Sequence, residues 1–101
     1  MKLVSKAIRD SARGEDCTLR IPGACNYNPE TTVLAHVPCG MGGMGMKVPD
    51  LFAVYACSGC HDALDSRTGI EAEGWEVVRA LAETQMRLFE KGIISVKGVK
   101  A

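Results

Sequence analysis

The chain has 101 residues, of which 47% are hydrophobic; this excludes a disordered tail and leaves room for one small domain rather than two cores. Twelve basic residues balance twelve acidic ones, which excludes a protein that binds nucleic acid through bulk positive charge. So short a chain buries only about 60–65% of its unfolded surface, and with 5% aromatic residues its core calls for a staple. Five cysteines are available to build one.

No stretch approaches the roughly 20 apolar residues that span a bilayer. Lys6, Arg9 and Asp10 interrupt the N-terminal stretch where a signal peptide would be apolar. No membrane association is expected, and the expected location is the cytoplasm, a reducing compartment in which clustered cysteines bind metal more often than they form disulfides. The odd cysteine count points the same way. Charge is uneven: residues 1–20 carry five basic against three acidic side chains, and residues 71–90 carry two against five. A local basic surface for phosphates is therefore compatible with zero net charge.

In chain order, residues 5–13 have helical character and stop at Gly14. Pro22-Gly23 and Asn28-Pro29 are turn signals. Cys17 and Cys25 flank the first of them, which predicts a knuckle that brings the two thiols together. Residues 31–36 are β-branched and apolar and predict a strand that closes at Pro38. Residues 40–46, rich in glycine and methionine, read as a flexible connector. Residues 51–56 predict a second strand that runs into Cys57-Ser-Gly-Cys60-His61, after which residues 62–65 predict a short helix stopped by Gly69. Residues 71–90 predict the longest helix. Its inward stripe is Trp75, Val78, Leu81, Ala82, Gln85, Leu88 and Phe89, serving the core or a dimer face, with the glutamates mainly opposite and Gly92 at its end. Residues 93–96 read as a short strand or as a tail packed on the core.

Cys57-x-x-Cys60 is the strongest chemical signal, because a two-residue spacer lets two thiolates face one tetrahedral ion. Cys17 and Cys25 would complete a closed four-thiolate site, although their seven-residue spacer is longer than usual. Two other readings compete: buried free thiols, and a redox pair at Cys57 and Cys60, which lacks the βαβ surroundings such motifs occupy. Cys39 reads as a loop thiol without a role. His36 ends the first predicted strand and His61 follows the second. On a hairpin crossed by a helix, the two imidazoles would converge on one side and divide the work of hydrolysis, one taking a proton from water and the other holding a divalent cation.

A strand ending in His36, a loop carrying Asp50-Leu51, a second strand and Cys57-x-x-Cys60-His61 opening a helix together resemble the HNH nuclease motif. The segments Arg20-Ile-Pro-Gly-Ala-Cys25-Asn26, Asn28-Pro-Glu, Leu34-Ala-His36, Pro49-Asp50-Leu51 and Ala56-Cys-Ser-Gly-Cys-His-Asp62 resemble more closely the small prophage-encoded YbcO-type proteins, over roughly residues 8–95. The resemblance implies an α+β fold: one zinc-stapled ββα-metal (HNH or His-Me finger-like) domain over residues 1–101, with the ββα core at about 31–67 and flanking helices, the last over 71–90. It implies His36 as general base and Asp50 at the middle position, where Asn usually ties down the connecting loop. It implies His61 as ligand of a catalytic divalent cation such as Mg2+ or Mn2+, and Cys17, Cys25, Cys57 and Cys60 as ligands of a structural Zn2+.

Two departures qualify this pattern. Ala35 stands where many HNH sequences place a metal-binding Asp or His, and Asp50 accepts hydrogen bonds but cannot donate those of an amide. Asp65, one turn after His61, would replace the missing ligand, with Asp62 as second choice; the competing reading makes Asp65 a solvated helix acid. Arg67 is expected to contact phosphate, with Arg13, Arg20 and Lys47 as weaker candidates. The function so implied is a metal-dependent HNH endonuclease that hydrolyses DNA phosphodiester bonds in phage or prophage DNA metabolism, with a homodimer as the form that would cut both strands. The alternative is a zinc-stapled DNA-binding or adaptor module that has lost the chemistry.

Overall fold

The structure is a computed structural model, described for residues 3–38, 48–66 and 69–101. Cys39, the predicted connector at 40–46, Lys47 and Arg67 lie outside the described residues. The element order is α1 (Lys6–Ser11), β1 (Val33–His36), β2 (Ala53–Ala56), α2 (Ser58–Leu64) and α3 (Gly74–Glu90), with single turns of tighter helix at Pro29–Thr31 and Asp50–Phe52. The result is a small α+β fold.

The strands pair antiparallel, with Leu34 opposite Tyr55 and Ala35 opposite Val54. Each is shorter than the sequence suggests, because the preceding residues are taken by the tight turns. Asn28 caps the first of these by accepting from the Glu30 amide at 3.1 Å. Side chains alternate across the hairpin. On one face Ala35, Val37, Val54 and Ala56 pack with Leu19, Ile21, Cys60, Ala63, Leu64 and Ala80. On the other, Tyr55 packs with Ile8, Ala12 and Leu88, and Leu34, Ile93 and Ile94 close around them. All four residues of β2 are buried.

At Tyr55 the outer edge of β2 is closed by two threonines. The Tyr55 amide donates to Thr84 Oγ1 at 3.1 Å. The Tyr55 carbonyl accepts from the Thr18 amide at 2.8 Å and from Thr18 Oγ1 at 2.9 Å. The two threonine hydroxyls lie 3.2 Å apart.

The helices α2 and α3 differ from expectation in start and phase. The helix after β2 begins at Ser58 rather than at 62, because Cys57 serves as its N-cap, its sulfur accepting from the Cys60 amide at 3.4 Å. In α3 the buried residues are Glu76, Ala80, Thr84 and Leu88, while Trp75 and Val78 of the predicted stripe are 60% and 69% exposed. The phase is set by polar groups. Glu73 and Glu76 form a reciprocal capping box at the first turn, and Thr84 serves the edge of β2. Residues 93–96 form no strand; the Ile93 and Ile94 amides both bond the Leu88 carbonyl, and the tail packs on the Tyr55 cluster. Among the described residues, no helix is long and apolar enough to cross a membrane.

Candidate metal centre and histidine sites

Four cysteines from three separate segments meet at one point. Cys17 follows α1, Cys25 ends a turn, and Cys57 and Cys60 open α2. Their sulfur atoms all lie within 4.8 Å of one another, and Cys25 Sγ is 3.8 Å from Cys57 Sγ. Thiolates about 2.3 Å from a central ion in a tetrahedron are about 3.8 Å apart along each edge, so the four sulfurs fit a closed tetrahedral centre able to hold a metal ion.

The long Cys17–Cys25 spacer is taken up by a tight turn. The Ala24 and Cys25 amides both bond the Ile21 carbonyl, at 3.0 and 2.9 Å, and Gly23 completes the reversal at φ +82°. Backbone amides point at the sulfurs, Ile21 at Cys60 (3.4 Å) and Asn26 at Cys57 (3.5 Å). Gly59 is required by the close approach of the turn, since a Cβ there would stand 2.0 Å from the Ala24 carbonyl oxygen.

Crowded thiols share protons rather than titrating separately. A hydrogen bond from Cys60 draws the Cys17 thiol down to about 4. Burial, backed by neighbouring sulfur charge, pushes Cys25 up to about 11; the Cys17 contact and burial push Cys60 upward. A bound cation removes this competition by favouring every thiolate at once.

His36 and Asp50 form the second constellation. Asp50, with its side chain fully buried, accepts from His36 Nε2 at 2.7 Å. It also accepts from the Ser5 amide at 2.7 Å and from Arg9 Nε and Nη2 at 3.0 and 3.2 Å. Burial alone would raise this carboxyl, but the hydrogen bonds from Arg9, His36 and Ser5 hold it down to about 2. An ionised carboxylate only accepts, so His36 Nε2 carries a proton, and in the neutral imidazole Nδ1 is the nitrogen with the lone pair. The imidazole is about one-third exposed.

Among the described residues the Asp50 carboxylate bonds the start of α1 and His36 rather than its own loop. It thereby fastens the start of α1, 41 and 45 residues away, to the end of β1. Ser5 and Arg9 were missed in the sequence for that reason: nothing near Asp50 announces them.

His61 Nε2 lies 3.4 Å from Asp65 Oδ2, one turn along α2, with both side chains about one-third exposed. The structure therefore places His36 with Asp50 and His61 with Asp65. His36 shares its strand face with Leu34, toward α1, whereas α2 packs on the Ala35 face, where Ala35 is itself fully buried. Arg20 is engaged elsewhere, in a bidentate pair with Glu83 of α3 at 2.9 and 2.7 Å.

The molecule is thus a small α+β domain in which the segment after α1 and the start of α2 meet at a four-cysteine centre able to hold a metal. The chain belongs to the family described as "Putative nuclease YbcO", whose model matches residues 6–94. It is 46% identical over 91 residues to "Putative nuclease YbcO" of Escherichia coli (strain K12), covering 86% of this chain and 95% of that protein. The same identity and coverage hold for "Putative nuclease ybcO" of Enterobacteria phage 82. A solved structure described as "a putative bacteriophage protein" from Escherichia coli str. K-12 substr. MG1655 matches with TM-score 0.70 and 44% identity, over 85% of this chain and all of the other.

Proposed function

We propose that this protein is a metal-dependent endonuclease of HNH type that hydrolyses DNA phosphodiester bonds, with His36 as general base. The observation that carries the reading is the His36–Asp50 pair at 2.7 Å. An acceptor-only carboxylate fixes the imidazole tautomer, leaves Nδ1 free to take a proton from the attacking water, and stabilises the imidazolium that results. The names of the phage and Escherichia coli relatives support a nuclease that serves phage or prophage DNA metabolism.

The four-sulfur centre suits Zn2+ in a structural role, because four protein ligands leave no open position for substrate. A second cation, Mg2+ or Mn2+, would be held by His61 and Asp65, whose donors fit Mn2+ better than the oxygen-preferring Mg2+. When bound it would supply electrostatic stabilisation of the charge that develops during phosphodiester cleavage.

Supercoiled plasmid incubated with Mg2+ or Mn2+ tests this reading. The wild type should nick the plasmid, and His36→Ala should lower the rate by about 10²–10⁴-fold without changing the fold by circular dichroism. A second reading has an observation of its own: Ala35, at the position of an HNH metal ligand, is fully buried in the core and offers no donor. That supports a DNA-binding or adaptor module without catalysis. Absence of nicking with either cation, or nicking indifferent to His36→Ala, would select it.

A further inference from the structure

Most of the apolar stripe that the sequence marks on α3 faces away from the core. Trp75, Val78 and Met86 are 60%, 69% and 54% exposed; Ala82 is exposed between them, and Phe89 is only half-buried. The domain is gripped through a different sector of the helix, by Ala80, Thr84 and Leu88. α3 therefore carries two apolar faces, of which the domain uses one. A contiguous exposed apolar face bordered by charged side chains, here the Arg79–Glu83 pair, marks an interaction surface.

The order of residues along the open face indicates what covers it. Trp75 and Phe89 each lie seven residues from Ala82, and Val78 and Met86 each lie four, steps that keep helical residues on one side. Size is thus symmetric about a small residue, with rings at both ends and alanine in the middle. Turned end for end, the face matches itself. A second copy laid antiparallel, with the two-fold axis at Ala82, sets Trp75 against Phe89 and Val78 against Met86 twice over, as an isologous contact requires. Alanine at the crossing lets the helix axes approach to about 8 Å.

Charge favours the same direction. Glu71 and Glu73 stand at the N-terminal end of α3, whereas Arg87, Lys91 and Lys97, with one acid, Glu90, stand at its C-terminal end. An antiparallel pair places acidic ends beside basic ones and opposes the two helix dipoles. Trp75 is already fixed for such a contact. Its indole N–H donates to Glu73 Oε2 at 3.2 Å, and the Arg79 guanidinium lies 5.0 Å from the ring centroid, so little freedom is lost on binding.

We infer that the open face of α3 is the contact of a homodimer, two antiparallel helices crossing at Ala82. The inference is independent of the nuclease reading. A helix of 17 residues is about 25 Å long. One such pair buries less than the roughly 1,200 Å² that separates weak from standard interfaces, so Kd should lie at about 10–100 µM. Well below that range the chain is monomeric, and substitutions on this face leave the stability measured in dilute solution unchanged.

The test is sedimentation equilibrium together with tryptophan fluorescence, from about 1 µM to about 1 mM protein. The mass should rise from 10.8 kDa toward twice that value. Emission from Trp75, the only tryptophan, should shift to the blue over the same range as its ring is covered. Ala82→Glu and Ala82→Lys should each raise Kd at least about tenfold, because each sets like charges face to face, and an equimolar mixture of the two should restore association. Val33→Glu, on an exposed residue of β1, should associate as the wild type does.

A wild type that keeps the monomer mass up to about 1 mM overturns the dimer and leaves the face to a different protein. A dimer that forms without moving the Trp75 emission, or that Val33→Glu weakens as much as Ala82→Glu does, overturns this face. The mass and emission of the wild type decide these points even if an Ala82 variant fails to fold. A mixture that does not reassociate, with both variants keeping the circular dichroism of the wild type, overturns the two-fold axis at Ala82.

Discussion

On the Ala35–Val54 face of the hairpin, distant segments meet at four sulfur atoms; on the Leu34–Tyr55 side they meet at one carboxylate. Cys17, Cys25, Cys57 and Cys60 bring together the turn after α1 and the start of α2. Asp50 gathers the Ser5 amide, Arg9 and His36. The sulfur centre is largely buried and, with four ligands, closed to substrate. The carboxylate is buried, but it presents an imidazole that is one-third exposed. One fastening suits rigidity and the other suits reaction, and strand alternation keeps them apart across a sheet only two strands wide.

The largest expected effect falls on the sulfur side. Removing the proposed zinc with a strong chelator, or replacing Cys60 with Ser, should abolish the cooperative thermal transition seen by circular dichroism. Structural zinc contributes on the order of 10 kcal/mol to folding at neutral pH. A metal-free protein with an unchanged transition would show that packing alone holds that face.

An intermediate effect belongs to the carboxylate side. The folded pKa of Asp50 is depressed, to about 2, so its contribution is fully present above the unfolded value near 3.8 and is lost as pH falls through 2. Urea titrations of the wild type should show roughly 2 kcal/mol disappearing over that window. Asp50→Ala, which strands Arg9 and His36, should cost about 3–5 kcal/mol at pH 7 and remove this part of the acid dependence. An unchanged acid profile in the variant would mean that Asp50 does not anchor α1.

The smallest effect is expected away from both fastenings. Val78→Ser on the exposed side of α3 should change stability by no more than about 0.5 kcal/mol in the same titration. A larger loss would indicate that this helix face is covered in solution, as the dimer reading of the sequence supposed.

How much of this was legible in the sequence follows from the range of each signal. The Cys57-x-x-Cys60 knuckle, the hairpin and the long C-terminal helix are local patterns and can be read directly. The partnership of Cys17 and Cys25 with that knuckle needed the turn at Pro22-Gly23, which the sequence also marks. The phase of α3 could not be read from hydrophobicity, because Glu76 and Thr84 are buried for their hydrogen bonds while Trp75 and Val78 face outward. Asp50 could be singled out by position in a motif, but not its partners Arg9 and Ser5, since a link across 41 residues leaves no periodicity behind.

The two threonines at the rim of β2 have a consequence for behaviour at high concentration. With the Tyr55 amide and carbonyl already satisfied by Thr84 and Thr18, the ribbon offers no vacant ladder rung there to a strand from another molecule. Crowded solutions should therefore not recruit this segment into cross-β growth, and a protein with so small a sheet owes that protection to one threonine hydroxyl on the Tyr55 amide and to the amide and hydroxyl of a second threonine on its carbonyl.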